Sequence, residues 1–362
     1  MAEILVAGET LIDFLPGPGE TLRDVDGFSH RPGGAPANVA VGLSRLGAAP
    51  AFWTRLGGDP FGDLLRETLV DEGVPTAAFE RADGNTTLAV VSPPGVDGRR
   101  FRFYGSRDVA FGFEPGSVPA DELAAVSWVH LGGVALTHPD GRAAMRELAA
   151  AAAERNCAVS FDINYREDLV PDGERESVVD AVREIVADSD VVFASDEDVA
   201  ATGLSSKEGE ALGRDLLELG PHTAVVTLGE SGAVVASSAA APWGERTARH
   251  GGFAVEAVDA TGAGDAFTAG LIARLAADDA PDLDDAVAFA NATAALSVRE
   301  RGGMTALPSR EAWSRSSTSG GRAIGLQTGA TTRAANRSDR GRTSGRGPET
   351  PRRRSPRRGP RR

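Results

Sequence analysis

Cysteine and lysine occur once each in this sequence, aromatic residues make up 6%, and long apolar runs are absent. The single cysteine, Cys157, excludes an internal disulfide framework, and the five histidines (His30, His130, His138, His222, His250) lack the spacing of a zinc site. No apolar run approaches the length of a membrane span. The opening Met1-Ala-Glu-Ile-Leu-Val-Ala-Gly reads as a first strand without a basic leader, so a cytoplasmic protein is expected. Two familiar phosphate-binding signatures are missing as well. There is no Gly-x-x-x-x-Gly-Lys-[Ser/Thr], which excludes a P-loop, and the first strand does not run into Gly-x-Gly-x-x-Gly, which argues against a dinucleotide-binding Rossmann domain.

Charge falls into two blocks. Beyond Trp313 lie 14 of the 38 basic residues, all Arg, with only Asp339 and Glu349 of the 52 acids, so residues 1–313 hold 24 basic and 50 acidic groups. Such an acidic body, with Arg in place of Lys, suits concentrated salt, where screening over roughly 3 Å at 1 M relieves self-repulsion. A halophilic source is expected. Residues 314–362 are rich in Ser, Gly, Pro and Arg and too poor in apolar residues to fold, so a disordered Arg-rich tail is expected. A basic arm can contact nucleic-acid phosphates. The abrupt reversal of composition reads more simply as a frameshift or spurious extension, and no nucleic-acid partner is expected.

Residues 1–313 alternate strand and helix patterns, which implies an α/β domain with a mostly parallel sheet and right-handed crossovers. Strands are expected at Ile4 to Ala7, Phe52 to Leu56, Trp128 to Leu131, Ala158 to Ile163, Val191 to Ala194, Thr223 to Leu228 and Ala233 to Ala236, the last two joined by a tight hairpin. From Thr86 to Tyr104 the pattern is strand, turn, strand with no helix between, and lid strands are expected within about residues 14–32 and 86–112. That predicts a small antiparallel β lid, suited to excluding water from a site.

The most chemically distinctive stretch is Val258-Asp259-Ala260-Thr261-Gly262-Ala263-Gly264-Asp265-Ala266-Phe267. Apolar residues recur at Phe267, Leu271 and Leu275, so the glycine turn opens a helix whose first amides can hold an anion. Asp265 would repel a phosphate, and its place there makes sense if it takes a proton from a hydroxyl attacking phosphorus. The alternative is an acid favoured by the helix dipole. Pro32-Gly33-Gly34-Ala35-Pro36-Ala37-Asn38 opens another helix; Asn38, both donor and acceptor, suits a polyol, or the stretch packs a helix on the sheet. Asp13, just past the first strand, is either a solvated acid or a ligand group at a sheet edge. Asn164 and Arg166 follow a strand end, where Arg166 either grips oxygens in a bidentate way or forms a surface ion pair. Asn291, near the middle of a helix from Asp284 to Val298, either faces solvent or reaches a ligand.

Gly33-Gly34 with Asn38, Asn164 with Arg166, and Gly262-Ala263-Gly264-Asp265 together resemble the ribokinase-like (PfkB) family of sugar kinases, from about Ile4 to Trp313. Within it, Gly8-Glu-Thr-Leu-Ile-Asp-Phe-Leu-Pro, the Pro36 form of the glycine motif, and Glu300-Arg-Gly-Gly-Met-Thr-Ala-Leu-Pro look most like the fructokinases. The resemblance implies a three-layer α/β/α domain with a β lid and ATP-dependent phosphorylation of a sugar hydroxyl. It implies Asp265 as the catalytic base and the amides of Gly262, Ala263 and Gly264 as an anion hole. Asp13, Gly33, Gly34, Asn38 and Asn164 match sugar-side positions, and Arg166 one near the phosphates. Thr227, Gly229 and Gly232 match the nucleotide loop, and Asn291 an adenine-side position. Mg2+ would accompany ATP, Asp259 and Thr261 mark where relatives hold a monovalent cation such as K+, and lids in this family often pair into homodimers. The chain departs from many relatives at Ser195-Asp196-Glu197-Asp198 in place of Asn-x-x-Glu, and at Gly105 in place of Arg. Other members act on 2-keto-3-deoxygluconate, ribose, nucleosides and sugar phosphates, and a non-catalytic sugar- or nucleotide-binding protein is the alternative of another class.

Overall fold

The computed structural model describes residues 3–93, 101–277, 281–309, 311–312 and 327–328. Strand β1 (Ile4–Ala7) is buried throughout, with Leu5 and Ala7 in one apolar cluster and Ile4 and Val6 in another. A strand apolar on both faces belongs inside a sheet that is covered on both sides. The chain continues through β2 (Leu11–Pro16), β3 (Phe28–Gly33), α1 (Ala35–Arg45), β4 (Ala51–Gly57), α2 (Pro60–Asp71), β5 (Phe79–Ala82), β6 (Leu88–Val91), β7 (Phe101–Tyr104) and two short helices, α3 (Arg107–Phe111) and α4 (Ala120–Leu123). Regular alternation follows: β8 (Trp128–Gly132), α5 (Pro139–Glu154), β9 (Ala158–Asp162), α6 (Arg175–Ala187), β10 (Val191–Ser195), α7 (Asp196–Thr202), α8 (Gly209–Leu217) and β11 (Thr223–Thr227). Last come β12 (Ala233–Ser237), β13 (Arg246–His250), β14 (Phe253–Ala254), α9 (Ala263–Leu275), α10 (Leu283–Ser297) and β15 (Gln327–Thr328).

Nine strands form the main sheet in the order β13-β12-β11-β10-β9-β8-β1-β4-β5. All neighbours run parallel except β11–β12 and β12–β13, and the Gly229–Gly232 turn makes the expected hairpin. Helices α1, α9 and α10 feed the cluster on one face, and α5, α6 and α8 that on the other, giving the expected three layers. His130 sits in this core with Nδ1 3.0 Å from Ser160 Oγ; burial pushes its pKa down to about 3, so it stays neutral. Among the described residues no helix is long and apolar enough to cross a membrane.

The lid is a separate four-stranded sheet, β3-β2-β6-β7. The antiparallel pair expected between Thr86 and Tyr104 is β6 with β7; β2 pairs antiparallel with β3, and β2 and β6 run parallel, which the sequence pattern does not indicate. The cause is topological: β2 follows β1 and β6 follows β5, so both strands leave the carboxyl edge of the parallel main sheet in the same direction. Most of the turn expected between β6 and β7 lies outside the described residues. Of the expected tail only Gln327–Thr328 is described, paired with Phe253–Ala254, and the rest of that expectation also lies outside.

Candidate active site

The carboxyl ends of β1, β9, β10 and β11, the first turns of α1 and α9, and the underside of the lid enclose a cleft of about 390 Å³. This is where an open parallel sheet offers converging loops and helix amino ends. Phe101, Phe103, Ala89 and Leu11 line it from the lid. Helix α9 starts after Gly262, whose φ of 77° is left-handed; a Cβ there would lie 2.7 Å from Gly303 Cα, so glycine is required. Gly264 is exposed, and a Cβ on it would meet nothing within 4 Å. Its open backbone lies at the positive end of the helix, where an anion is electrostatically favoured.

Asp265 stands in that first turn, and its Oδ2 accepts from Asn38 Nδ2 at 2.7 Å, joining two helices 227 positions apart in sequence. Burial raises the Asp265 pKa to about 6, against the Asn38 hydrogen bond and the Arg166 charge, which lower it. Glu9, just past β1, is 2% exposed; its Oε1 accepts from Ala35 N–H at 3.3 Å, and burial pushes its pKa to about 8. Asp162, at the end of β9, is raised well above the usual carboxylate range by burial and then by the charges of Asp198 and Asp265, with Arg166 opposing. Asn164 holds a left-handed φ of 32°, uncommon outside glycine, and is 7% exposed in the turn that brings Arg166 to the cleft. Ser195 and Asp198 form a capping box at the start of α7, with Ser195 Oγ donating to Asp198 Oδ2 at 2.6 Å, and both residues reach the cleft wall.

The expected residues divide accordingly. Asp13, Gly34, Asn38, Asn164, Arg166, Thr227, Thr261, Gly262, Gly264 and Asp265 meet on one cleft. Gly33 supports it from below, since a Cβ there would lie 2.3 Å from Asp13 Oδ2. Ala263 N–H donates to Ala260 O at 3.2 Å, within the turn. Gly232 is needed by packing, because a Cβ would lie 2.0 Å from His250 O, whereas Gly229 is open with φ 56°. Asn291 does not face solvent: it is 5% exposed and its Nδ2 donates to Val287 O at 2.9 Å, one turn back in α10. Glu9 and Asp162 were missed. The signal was available, since each stands at the carboxyl end of a strand, the reasoning that selected Asp13.

Five carboxylates and a single guanidinium, Arg166, line this cleft among the described residues. A polyphosphate entering it needs those charges reduced, by protons or by a divalent ion. The donors suit Mg2+ held mainly through phosphate and water with one or two carboxylates, of which Asp162 and Asp198 are at hand; no described group of three or more His, Cys, Asp or Glu forms an all-protein metal cage. At the expected monovalent-cation position, Asp259 Oδ1 accepts from Thr261 N–H (3.0 Å) and Oγ1 (2.6 Å), and Oδ2 from Gly302 N–H (3.1 Å). With about four lone-pair sites on a carboxylate, most of its capacity is engaged in the loop. These residues do not by themselves build a K+ cage.

Comparison with known proteins places these features in context. Residues 1–310 match the model of the pfkB family carbohydrate kinases. The chain is 34% identical over 321 residues to a fructokinase of Klebsiella pneumoniae, covering 87% of this chain and 99% of the relative. Among solved structures, a fructokinase of Xylella fastidiosa with bound ATP superposes with a TM-score of 0.77 at 28% identity, covering 88% of this chain and all of that one. A fructokinase of Vibrio cholerae O395 with fructose, ADP and calcium bound gives a TM-score of 0.74 at 31% identity, covering 87% and 98%.

Proposed function

The chain belongs to the pfkB family of carbohydrate kinases, and from that premise we propose that it is an ATP-dependent fructokinase with Asp265 as its general base. The observation that carries this reading is the Asp265 carboxylate held at 2.7 Å by Asn38 in the first turn of α9, beside the exposed Gly264. A base belongs next to the hydroxyl it deprotonates, and an anion seat next to the phosphoryl group that hydroxyl attacks. Fructose is favoured as acceptor by the fructokinases among the relatives and by the Pro36 form of the glycine motif.

In this mechanism Asp13, Asn38 and Asn164 hold the sugar under the lid, with Phe101 and Phe103 shielding it from water. The sugar hydroxyl oxygen forms a bond to the γ-phosphorus of ATP as its proton passes to Asp265, and the bond to the β-phosphate oxygen breaks, releasing ADP. The glycine turn at Gly262–Gly264 and Arg166 stabilise charge on the transferred group. Asp162 and Asp198 are the carboxylates that would help hold Mg2+ with the nucleotide, and the ion would supply neutralisation of phosphate charge. Near its pKa of about 6, Asp265 is mostly ionised at neutral pH yet basic enough to take the proton.

The test is an acceptor panel with Mg2+ and ATP in concentrated potassium chloride: fructose, 2-keto-3-deoxygluconate, ribose and adenosine, with products assigned by NMR. Fructose is expected to give the highest kcat/KM, with the NMR spectrum deciding between O1 and O6. Preference for another acceptor moves the specificity, and no turnover with any of them contradicts the reading.

A further inference from the structure

Glu9 has no part in that mechanism, yet it lies buried beside it. Its Oε1 is taken by Ala35 N–H, and its Oε2 is shut off from solvent with no hydrogen-bond partner. A second orphan lies on the first turns of α1: Asn38 commits Nδ2 to Asp265, and its Oδ1 is likewise buried without a partner. Ala35, whose N–H Glu9 Oε1 accepts, opens α1, and Asn38 follows it three residues on, on the same face of the helix's first turn. Two acceptor oxygens cannot satisfy each other. A proton on Oε2 turns one of them into a donor and settles both with one hydrogen bond.

We propose that Glu9 is a positioning residue: as a neutral carboxylic acid it donates from Oε2 to Asn38 Oδ1, fixing the amide so that Nδ2 faces the base Asp265. This rests on the reading of Asp265 given above. The alternative amide orientation would turn Oδ1 toward the Asp265 carboxylate, placing two negative ends together and releasing the base from its hold. Within this pocket Glu9 is met by Asp265 from α9, which opposes its ionisation, by Arg166 after β9, which favours it, and by backbone amides including that of Ala35 in α1. Burial outweighs the rest and keeps the acid protonated until about pH 8. Turnover is therefore bounded on both sides, by protonation of Asp265 near pH 6 and by loss of the Glu9 donor near pH 8, the two titrating as a coupled pair.

Glu9→Gln and Glu9→Leu test this. The wild type is expected to lose kcat above about pH 8, and since the glutamine amide donates at any pH, Glu9→Gln is expected to remove that fall. Glu9→Leu is expected to lower kcat roughly 10- to 100-fold, the scale of a mispositioned reacting group, with the KM for ATP little changed. An alkaline fall that persists unchanged in Glu9→Gln overturns the proposal, as does full turnover in Glu9→Leu. A second measurement needs no activity: infrared difference spectra between pH 7 and pH 9 are expected to show a protonated carboxyl band that titrates in the wild type and is missing from Glu9→Gln. A wild-type spectrum without that band overturns the proposal. Should no sugar be phosphorylated, the kinase reading fails while the infrared result still decides the state of Glu9.

Discussion

Two helices open from glycines above the same cleft and use their amino ends differently. Gly34 precedes α1 with φ 103° and Gly262 precedes α9 with φ 77°, and a glycine offers no capping side chain to either. At α1 the space is filled. A Cβ on Gly34 would lie 2.6 Å from Glu9 O, Glu9 takes the Ala35 amide, and Asn38 is tied to Asp265. At α9 the space is open, with Gly264 exposed and nothing within 4 Å of where its Cβ would be. One sequence pattern, glycine then apolar helix, thus builds a packed polar network in one place and an open helix end, the proposed anion seat, in the other. The difference is made by what other segments bring to each helix end.

Substitutions at the two glycines should separate these roles. Gly264→Ala places a methyl group in the open seat, so kcat/KM is expected to fall about 10- to 100-fold, the cost of displacing a reacting group by a fraction of an ångström to an ångström. Its Tm is expected to hold or rise, since alanine favours a helix by up to about 1 kcal/mol over glycine. A Tm loss as large as the activity loss would erase the distinction. Gly34→Ala should do the reverse and act first on the fold, because it meets both a left-handed φ and the Glu9 carbonyl. A destabilisation of about 1–3 kcal/mol by denaturant titration is expected, the usual cost of such strain.

A third contrast concerns pH. Glu9 has its pKa raised from 4.5 to about 8 by burial, so between those values the unfolded chain releases a proton that the folded chain keeps. Its contribution is fully present below pH 4.5 and is lost progressively as pH rises through about 8. Glu9→Gln removes that loss. Its Tm relative to wild type is expected to increase from pH 5 to pH 9 by a few degrees, and a constant difference across that range would show that Glu9 is not buried as a neutral acid.

How much of this was legible in the sequence depends on how local each feature is. The α9 turn, the Asn38 helix and the parallel core were legible because each declares itself in about ten residues: glycines before an apolar period, or an apolar run before a turn. The raised pKa values of Glu9 and Asp162 were not, because they arise only where β1, β9 and α9 converge and exclude water around several acids. The parallel β2–β6 pair was hidden too, since it depends on both strands rising from one edge of the main sheet. Asn291 shows a third kind of difficulty. An amide inside a helix looked like a choice between solvent and ligand, and the backbone carbonyl of Val287 supplied its partner instead.

The most direct test of the account is the turnover of Asp265→Asn with fructose and MgATP, measured together with its Tm and its affinity for ATP. Asparagine keeps the side chain's shape but cannot take the proton, so kcat is expected to fall by about 10² to 10⁴ while Tm and ATP binding stay close to wild type. Near-wild-type turnover in Asp265→Asn would contradict the assignment of the base and with it the role given to the α9 amino end.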